Sequence, residues 1–327
     1  MLRQTPSRKL ETNSEHPDRS SLVVLAITVL LVVPAALTLR SVLHPAMLQP
    51  TGTNPTPFGY TWSLSLFFVP IIGLAWWFAL RPDLKFPRAA FWRTIAVLAP
   101  LGFGLDLLFG NGFFVFPNHQ ATLGLRVPAR GGPIPIEEFV FYLTGFILVL
   151  LSYVWCDEYW MASYNVPDYS AAVKGMPRIV RFHFASLLVG GLLLAGAVIY
   201  RRFVAGQVDG FPWYFAYLIA ASFVPSSGFF KTARDFINWR AFSFTFLLIL
   251  LISLLWEATL ALPYGWWDYR PEAMMGATIG AWSNLPIEAP CVWIAVTFTT
   301  VVVYEVIKIW KALGSSALAA FFGVGRL

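Results

Sequence analysis

The 327-residue chain is 57% hydrophobic and only 12% charged, with a net charge of +6 and a mean hydropathy of +0.65. Soluble domains run at about a quarter charged, and here the charges fall between long apolar runs, so the composition excludes an ordinary soluble protein and makes lipid the solvent. The positive balance is not a nucleic-acid footprint, because its lysines and arginines collect in the loops on one side of the apolar runs.

Residues 1–21 are polar and mixed in charge and read as a disordered cytoplasmic N-terminus. The apolar run 22–39 lacks a small-residue cleavage site at its end and reads as a retained helix. Further runs follow at 60–80, 91–109, 134–155, 182–200, 211–230, 241–262 and 288–310. Each approaches the roughly 20 residues that span a bilayer as a helix. Only helices and closed barrels satisfy every backbone group in lipid, and continuous apolar runs without alternation choose helices. The expectation is an all-α integral membrane protein of about eight transmembrane helices. With the N-terminus inside, 17 of the 23 Lys and Arg fall on the cytoplasmic side. That bias predicts a multi-pass protein of the cell (inner) membrane with both termini cytoplasmic. Cys156 and Cys291 lie at opposite ends of their runs and cannot bridge, and no Cys/His cluster suggests a metal site.

An offset of 151 residues superposes one half of the chain on the other. Pro135-Ile136-Glu137 falls on Pro286-Ile287-Glu288, Asp106 on Glu257, Phe113 and Phe116 on Tyr264 and Trp267, and Tyr153 on Tyr304. Four runs per half give both halves the same orientation, a parallel repeat whose interface is a natural place for a site. The expected units are 22–160 and 161–311, with a tail at 312–327.

The repeat gathers acids at one end of the runs: Asp106, Glu137, Glu257 and Glu288, with Glu138 beside Glu137 in the first half alone. Ionisable groups facing lipid are expensive and turn inward. Desolvation and a neighbouring carboxylate both favour the neutral form of a carboxylic acid, and a general acid must be protonated when it acts. Helix-start chemistry competes with this reading. Pro135 and Pro286 suit a first helical turn, and the helix dipole favours Glu137, Glu138 and Glu288 there. Asp106 and Glu257 sit near helix C-termini, where the dipole disfavours them, and their competing role is a hydrogen bond to a neighbouring helix. Asp157 and Glu158 read as solvated interface residues, Glu305 as a neighbour of Lys308, and His119 and His183 as loop and interface residues.

At Pro135-Ile136-Glu137-Glu138-Phe139, followed by Phe141, the sequence resembles the membrane-embedded, flavin-independent lycopene cyclases of the heterodimeric bacterial and fused archaeal and fungal types. That family carries a Pro-(Ile/Leu)-Glu-Glu motif before aromatics in each of two membrane units, and the likeness covers most of residues 60–310. The second copy departs from it, reading Pro286-Ile287-Glu288-Ala289 and then Pro290-Cys291. The resemblance implies a non-redox isomerase of carotenoid biosynthesis. A carboxylic acid protonates the acyclic end of lycopene or a related polyene, a six-membered ring closes, and a base removes a proton. It implies Glu137 or Glu138 as the acid, with Glu288, Asp106 and Glu257 as base, proton partner or cation stabiliser. Phe139, Phe141, Trp256, Trp267 and Trp293 would hold substrate, ring faces stabilising the cation. No cofactor or metal is implied, and no GxGxxG fingerprint occurs. The implied partners are a polyene and the bilayer, with a homo-oligomer or a complex with other carotenoid enzymes left open. Competing readings are a carotenoid-end hydratase, a transporter using the repeat interface, and a non-catalytic membrane partner subunit.

Overall fold

The computed structural model describes Val29, residues 57–84, 86–206 and 210–324. The expected disordered segment 1–21 lies outside the described residues, as does the 22–39 run apart from the helical Val29.

The remaining apolar runs form seven long helices: α1 (Gly59–Ala79), α2 (Arg88–Phe113), α3 (Ile136–Trp160), α4 (Phe184–Phe203), α5 (Trp213–Ala233), α6 (Trp239–Ala261) and α7 (Glu288–Leu313). Six of them, all but α5, are long and apolar enough to cross a membrane, which makes this a multi-pass helical membrane architecture. The expectation of eight spans is met only to that extent. The long helix α5 carries Ser222, Pro225, Ser226, Ser227, Lys231 and Thr232 in its second half, and these dilute its hydropathy. Helices α1, α2 and α5 contain Pro70, Pro100 and Pro225 and continue through them, as lipid-embedded helices can when neighbours re-satisfy the freed carbonyls.

Position in the bundle follows from what each helix buries. In α3, 72% of the most apolar stretch is buried inside the protein, against 17% in α1 and 22% in α4. Helix α3 packs against α1, α2, α6 and α7, while α7 packs against α2, α3, α5 and α6. The two form the centre. Phe68, Val69, Ile72 and Trp76 on α1, and Leu188, Leu192 and Ile199 on α4, are exposed, apolar faces on two helices that suit lipid.

At one end of the bundle the chain makes short two-residue strands. Strands β2 (Arg126–Val127) and β3 (Ile134–Pro135) form a hairpin leading into α3, and β5 (Thr278–Ile279) and β6 (Leu285–Pro286) form one leading into α7. The prolines therefore stand in strands just ahead of the helices, not in their first turns. Strands β1 (Phe114–Val115) and β4 (Asp268–Tyr269), which follow α2 and α6, pair with each other antiparallel.

The opposite end holds a polar knot. Lys308 lies 3.3 Å from Asp157, 3.5 Å from Glu158 and 3.8 Å from Glu305. Asp157 is fully buried, so it is not the solvated interface residue expected from sequence. A π-helical turn at Cys156–Trp160 carries it, and such turns change the direction of a side chain without ending the helix. Glu305, beside Lys308 as expected, accepts hydrogen bonds from Tyr153 Oη at 2.9 Å and Tyr169 Oη at 2.5 Å. Burial first, and then the Glu305 carboxylate, push the Tyr169 phenol above its ordinary range, so it remains a donor. Tyr153 Oη also accepts from the Asn238 backbone N–H at 3.1 Å, tying α3, α7 and the start of α6 together. Replacing Tyr153 with Phe removes one of the donors to the buried Glu305 carboxylate and takes the acceptor from the Asn238 N–H, and should cost about 1–3 kcal/mol. A thermal-unfolding midpoint in detergent that is unchanged by Tyr153→Phe would contradict this role.

Candidate functional site

Each hairpin crosses the first turn of the helix it feeds, and in both places a carboxylate pins it. Glu137 Oε1 accepts from the Leu123 backbone N–H at 2.7 Å and from Thr61 Oγ1 at 2.6 Å. Glu288 Oε1 accepts from the Met275 backbone N–H. Both are first-turn acids, favoured by the dipole and saturating a loop amide.

Glu138 is different. At 3.6 residues per turn, successive side chains diverge by about 100°, so Glu138 points away from the hairpin and into the bundle. There it lines a cavity with Glu257. The space is tight, about 40 Å³, and its walls are rings: Tyr60, Phe141, Trp256, Trp267, Trp293 and Tyr269 among them. Tyr60 Oη donates to Glu138 Oε2 at 2.6 Å. Glu257 receives three donors, Tyr269 Oη at 2.5 Å, Ser253 Oγ at 2.8 Å and Trp293 Nε1 at 3.1 Å. Tyr269 stands in β4, where burial first and then the Glu257 carboxylate push its phenol well above the ordinary range, keeping it a donor to Glu257. The π-helical turn Glu257–Ala261 at the end of α6 begins at Glu257 itself.

The rings form a continuous box. Trp256 and Trp267 lie 4.3 Å apart between centroids, Tyr60 and Trp267 4.9 Å, and Phe141 and Trp256 4.6 Å. Phe67 stacks on Trp293 at 6.0 Å from below. Gly59 permits the approach of Trp266 to the start of α1, since a Cβ there would collide with the indole ring. The Trp256 indole N–H is held by Ser63 Oγ at 2.8 Å, fixing the ring that faces both carboxyls.

Of the acids singled out from sequence, the structure brings Glu138 and Glu257 onto one cavity. Asp106 is buried behind the cavity wall, next to Tyr142, with Oδ2 lacking a hydrogen-bond partner. Glu137 and Glu288 stay with their hairpins and do not line the cavity, so the five acids do not converge on one point. Phe141, Trp256, Trp267 and Trp293 line the cavity, whereas Phe139 packs on Phe103 at 5.5 Å, away from it. Sequence reasoning missed Tyr60, Tyr214 and Tyr269, which also line it. Tyr60 and Tyr214 stand at helix starts, where an aromatic reads as an interfacial belt residue. Tyr269 arrives through the β1–β4 pairing, which sets it opposite Phe114, and a two-residue strand carries no periodic signal. Among the described residues no group of three His, Cys, Asp or Glu is arranged to hold a metal. No family model matches the chain, and neither the curated proteins nor the solved structures contain a match to it.

The division of labour among the acids is measurable by hydrogen–deuterium exchange. Glu137→Ala should accelerate exchange across residues 119–127, and Glu288→Ala across residues 271–279. Glu138→Gln should leave both segments as protected as in the wild type; equal loosening in all three variants would refute the assignment.

Proposed function

We propose that this chain is a two-half, eight-helix enzyme of the cell (inner) membrane that cyclises the acyclic end of lycopene or a related polyene, with Glu138 as the acid. The observation that carries the reading is the pair Glu138 and Glu257 on one cavity of aromatic rings, taken with the Pro-Ile-Glu-Glu motif that supplies Glu138.

Several features support two repeated halves. The hairpins before α3 and α7 occur 151 to 152 residues apart, and both feed a helix bearing a latch glutamate. Helices α3 and α7 have corresponding neighbours. Tyr153 and Tyr304, equivalent under the 151-residue offset, meet edge-on at 6.0 Å between centroids. The loop charge bias supports cytoplasmic termini, which puts the hairpins and the carboxyl cavity towards the outer face.

The chemistry suits the residues. A protonated Glu138 delivers its proton to the terminal double bond, leaving a tertiary carbocation. The next double bond attacks that cation, and its electron pair closes a six-membered ring with a new cation inside it. Loss of a ring proton to a carboxylate restores a double bond. Glu257 is the candidate base, since its three donors form a seat for a carboxylate. One proton is given and one is taken, so the net change is isomerisation. The faces of Trp256, Trp267 and Trp293 stabilise the cation in transit. At 40 Å³ the cavity is smaller than the ring it would form, so substrate enters by displacing its half-buried rim of Phe141, Tyr142, Val292 and Val296. A space so small and ring-lined favours proton loss over capture by water.

The test is pigment analysis of lycopene-accumulating bacterial cells expressing the chain. Wild type should yield a cyclic carotenoid, and Glu138→Gln should lower it by about 10²-fold or more at equal protein level, the usual contribution of a general acid. Glu137→Gln should retain product in proportion to folded protein. Unchanged lycopene from well-inserted wild type would overturn the proposal, and an acyclic hydroxylated product would replace cyclisation with hydration.

A further inference from the structure

The second feature of note lies at the end of the bundle opposite the hairpins, outside the carboxyl cavity. Helix α1 ends at Ala79 and α2 begins at Arg88, and between them and α3 runs a groove of about 760 Å³. Its walls are apolar, with Ile71, Ala75 and Phe78 from α1, Phe91 from α2, and Ile147 and Leu151 from α3. Its mouth is cationic, formed by Arg81 and Arg88.

Arg81 lacks the partners a guanidinium in such a place needs. Its charge sits over the Trp77 ring at 5.6 Å and the Tyr159 ring at 5.4 Å. No ion pair is formed by Arg81 or Arg88 among the described residues. The exposed Asp83, two residues on, leaves Arg81 unpaired as well. Arg81 Nε is buried without a hydrogen-bond partner. The N-terminus of the 26-residue α2 opens beside Arg88 without a side-chain cap, and such a terminus favours an anion. A partly buried guanidinium, oriented by two rings and short of an acceptor, is a half-made site for a phosphate or carboxylate.

We infer that this groove is a binding site for one anionic phospholipid. The phosphate takes Arg81 and Arg88, and an acyl chain lies along Ile71, Ala75 and Phe78 towards Ile147 and Leu151. Charge complementarity selects the headgroup, and the apolar length behind it selects a lipid over a free anion. Basic pockets between membrane helices at one bilayer face bind anionic headgroups in this way. The volume is within the range of about 300–1,000 Å³ usual for sites that hold a small molecule. The site is independent of the chemistry proposed for Glu138.

The experiment is native mass spectrometry of the purified full-length protein titrated with phosphatidylglycerol or with phosphatidylcholine of the same chains. Wild type should retain one phosphatidylglycerol at least tenfold more tightly than phosphatidylcholine. The double variant Arg81→Gln, Arg88→Gln should lose that preference, while Arg81→Lys should keep part of it. Ala75→Phe fills the acyl seat with both arginines in place, and should weaken phosphatidylglycerol binding even if the double variant does not fold. Equal retention of both lipids by wild type, or a preference untouched by Ala75→Phe and by the double variant, would overturn the inference. So would inorganic phosphate alone raising the thermal midpoint as far as phosphatidylglycerol does.

Discussion

A carboxylate buried in a lipid-solvated bundle must be supplied with hydrogen-bond donors or held neutral, because no water is at hand to solvate it. Seven acids are buried among the described residues: Asp106, Glu137, Glu138, Asp157, Glu257, Glu288 and Glu305. Most of the polar architecture answers that one constraint. Glu137 and Glu288 take loop amides, Asp157 and Glu305 take Lys308 and tyrosine hydroxyls, and Glu257 takes a tyrosine, a serine and an indole. Glu138 receives the Tyr60 hydroxyl and faces the cavity. Each solution links separate segments of chain, so satisfying the acids also fixes how the helices pack.

The contrast between Glu137 and Glu138 shows how adjacent residues acquire unrelated jobs. Both stand in the first turn of α3, and the dipole favours both equally. One faces the hairpin and finds an amide; its neighbour, rotated by about 100°, finds an aromatic box. The corresponding turn of α7 keeps the latch at Glu288 but carries Ala289 next to it. The loop-pinning function therefore recurs where the cavity-facing acid does not. The second acid of the cavity comes instead from the end of α6, through a π-helical turn.

The two ends of the bundle are built on different physics. The hairpin end is knit by short strands and carboxylate–amide bonds, with a tight ring-lined cavity beneath them. The opposite end is closed by Lys308 among three acids, and breaking such a buried pair is costlier than never having made it. Tyr153 belongs to that knot, yet it is also the residue that meets Tyr304 across α3 and α7.

Much of this was legible in the chain itself. Long apolar runs interrupted by charged loops determine membrane-length helices, since lipid leaves the backbone no alternative. The 151-residue offset marks Glu257 and Trp267, which line the cavity, but it sets Glu138 against Ala289 and so passes over the other cavity acid. Helix starts near Glu137 and Glu288 are marked by those acids, which the dipole favours in a first turn. What the sequence left open was direction. Glu137 and Glu138 cannot be told apart until helix phase is fixed, and Asp157 looks solvated until Lys308 is folded against it, 151 residues away. Tyr60, Tyr214 and Tyr269 enter the cavity from three separate segments, and Tyr269 does so through a strand pairing two residues long. Periodicity reports which face of one helix is apolar. Which buried side chains meet is decided by helix rotation and long-range pairing, and those exist only once the bundle has closed.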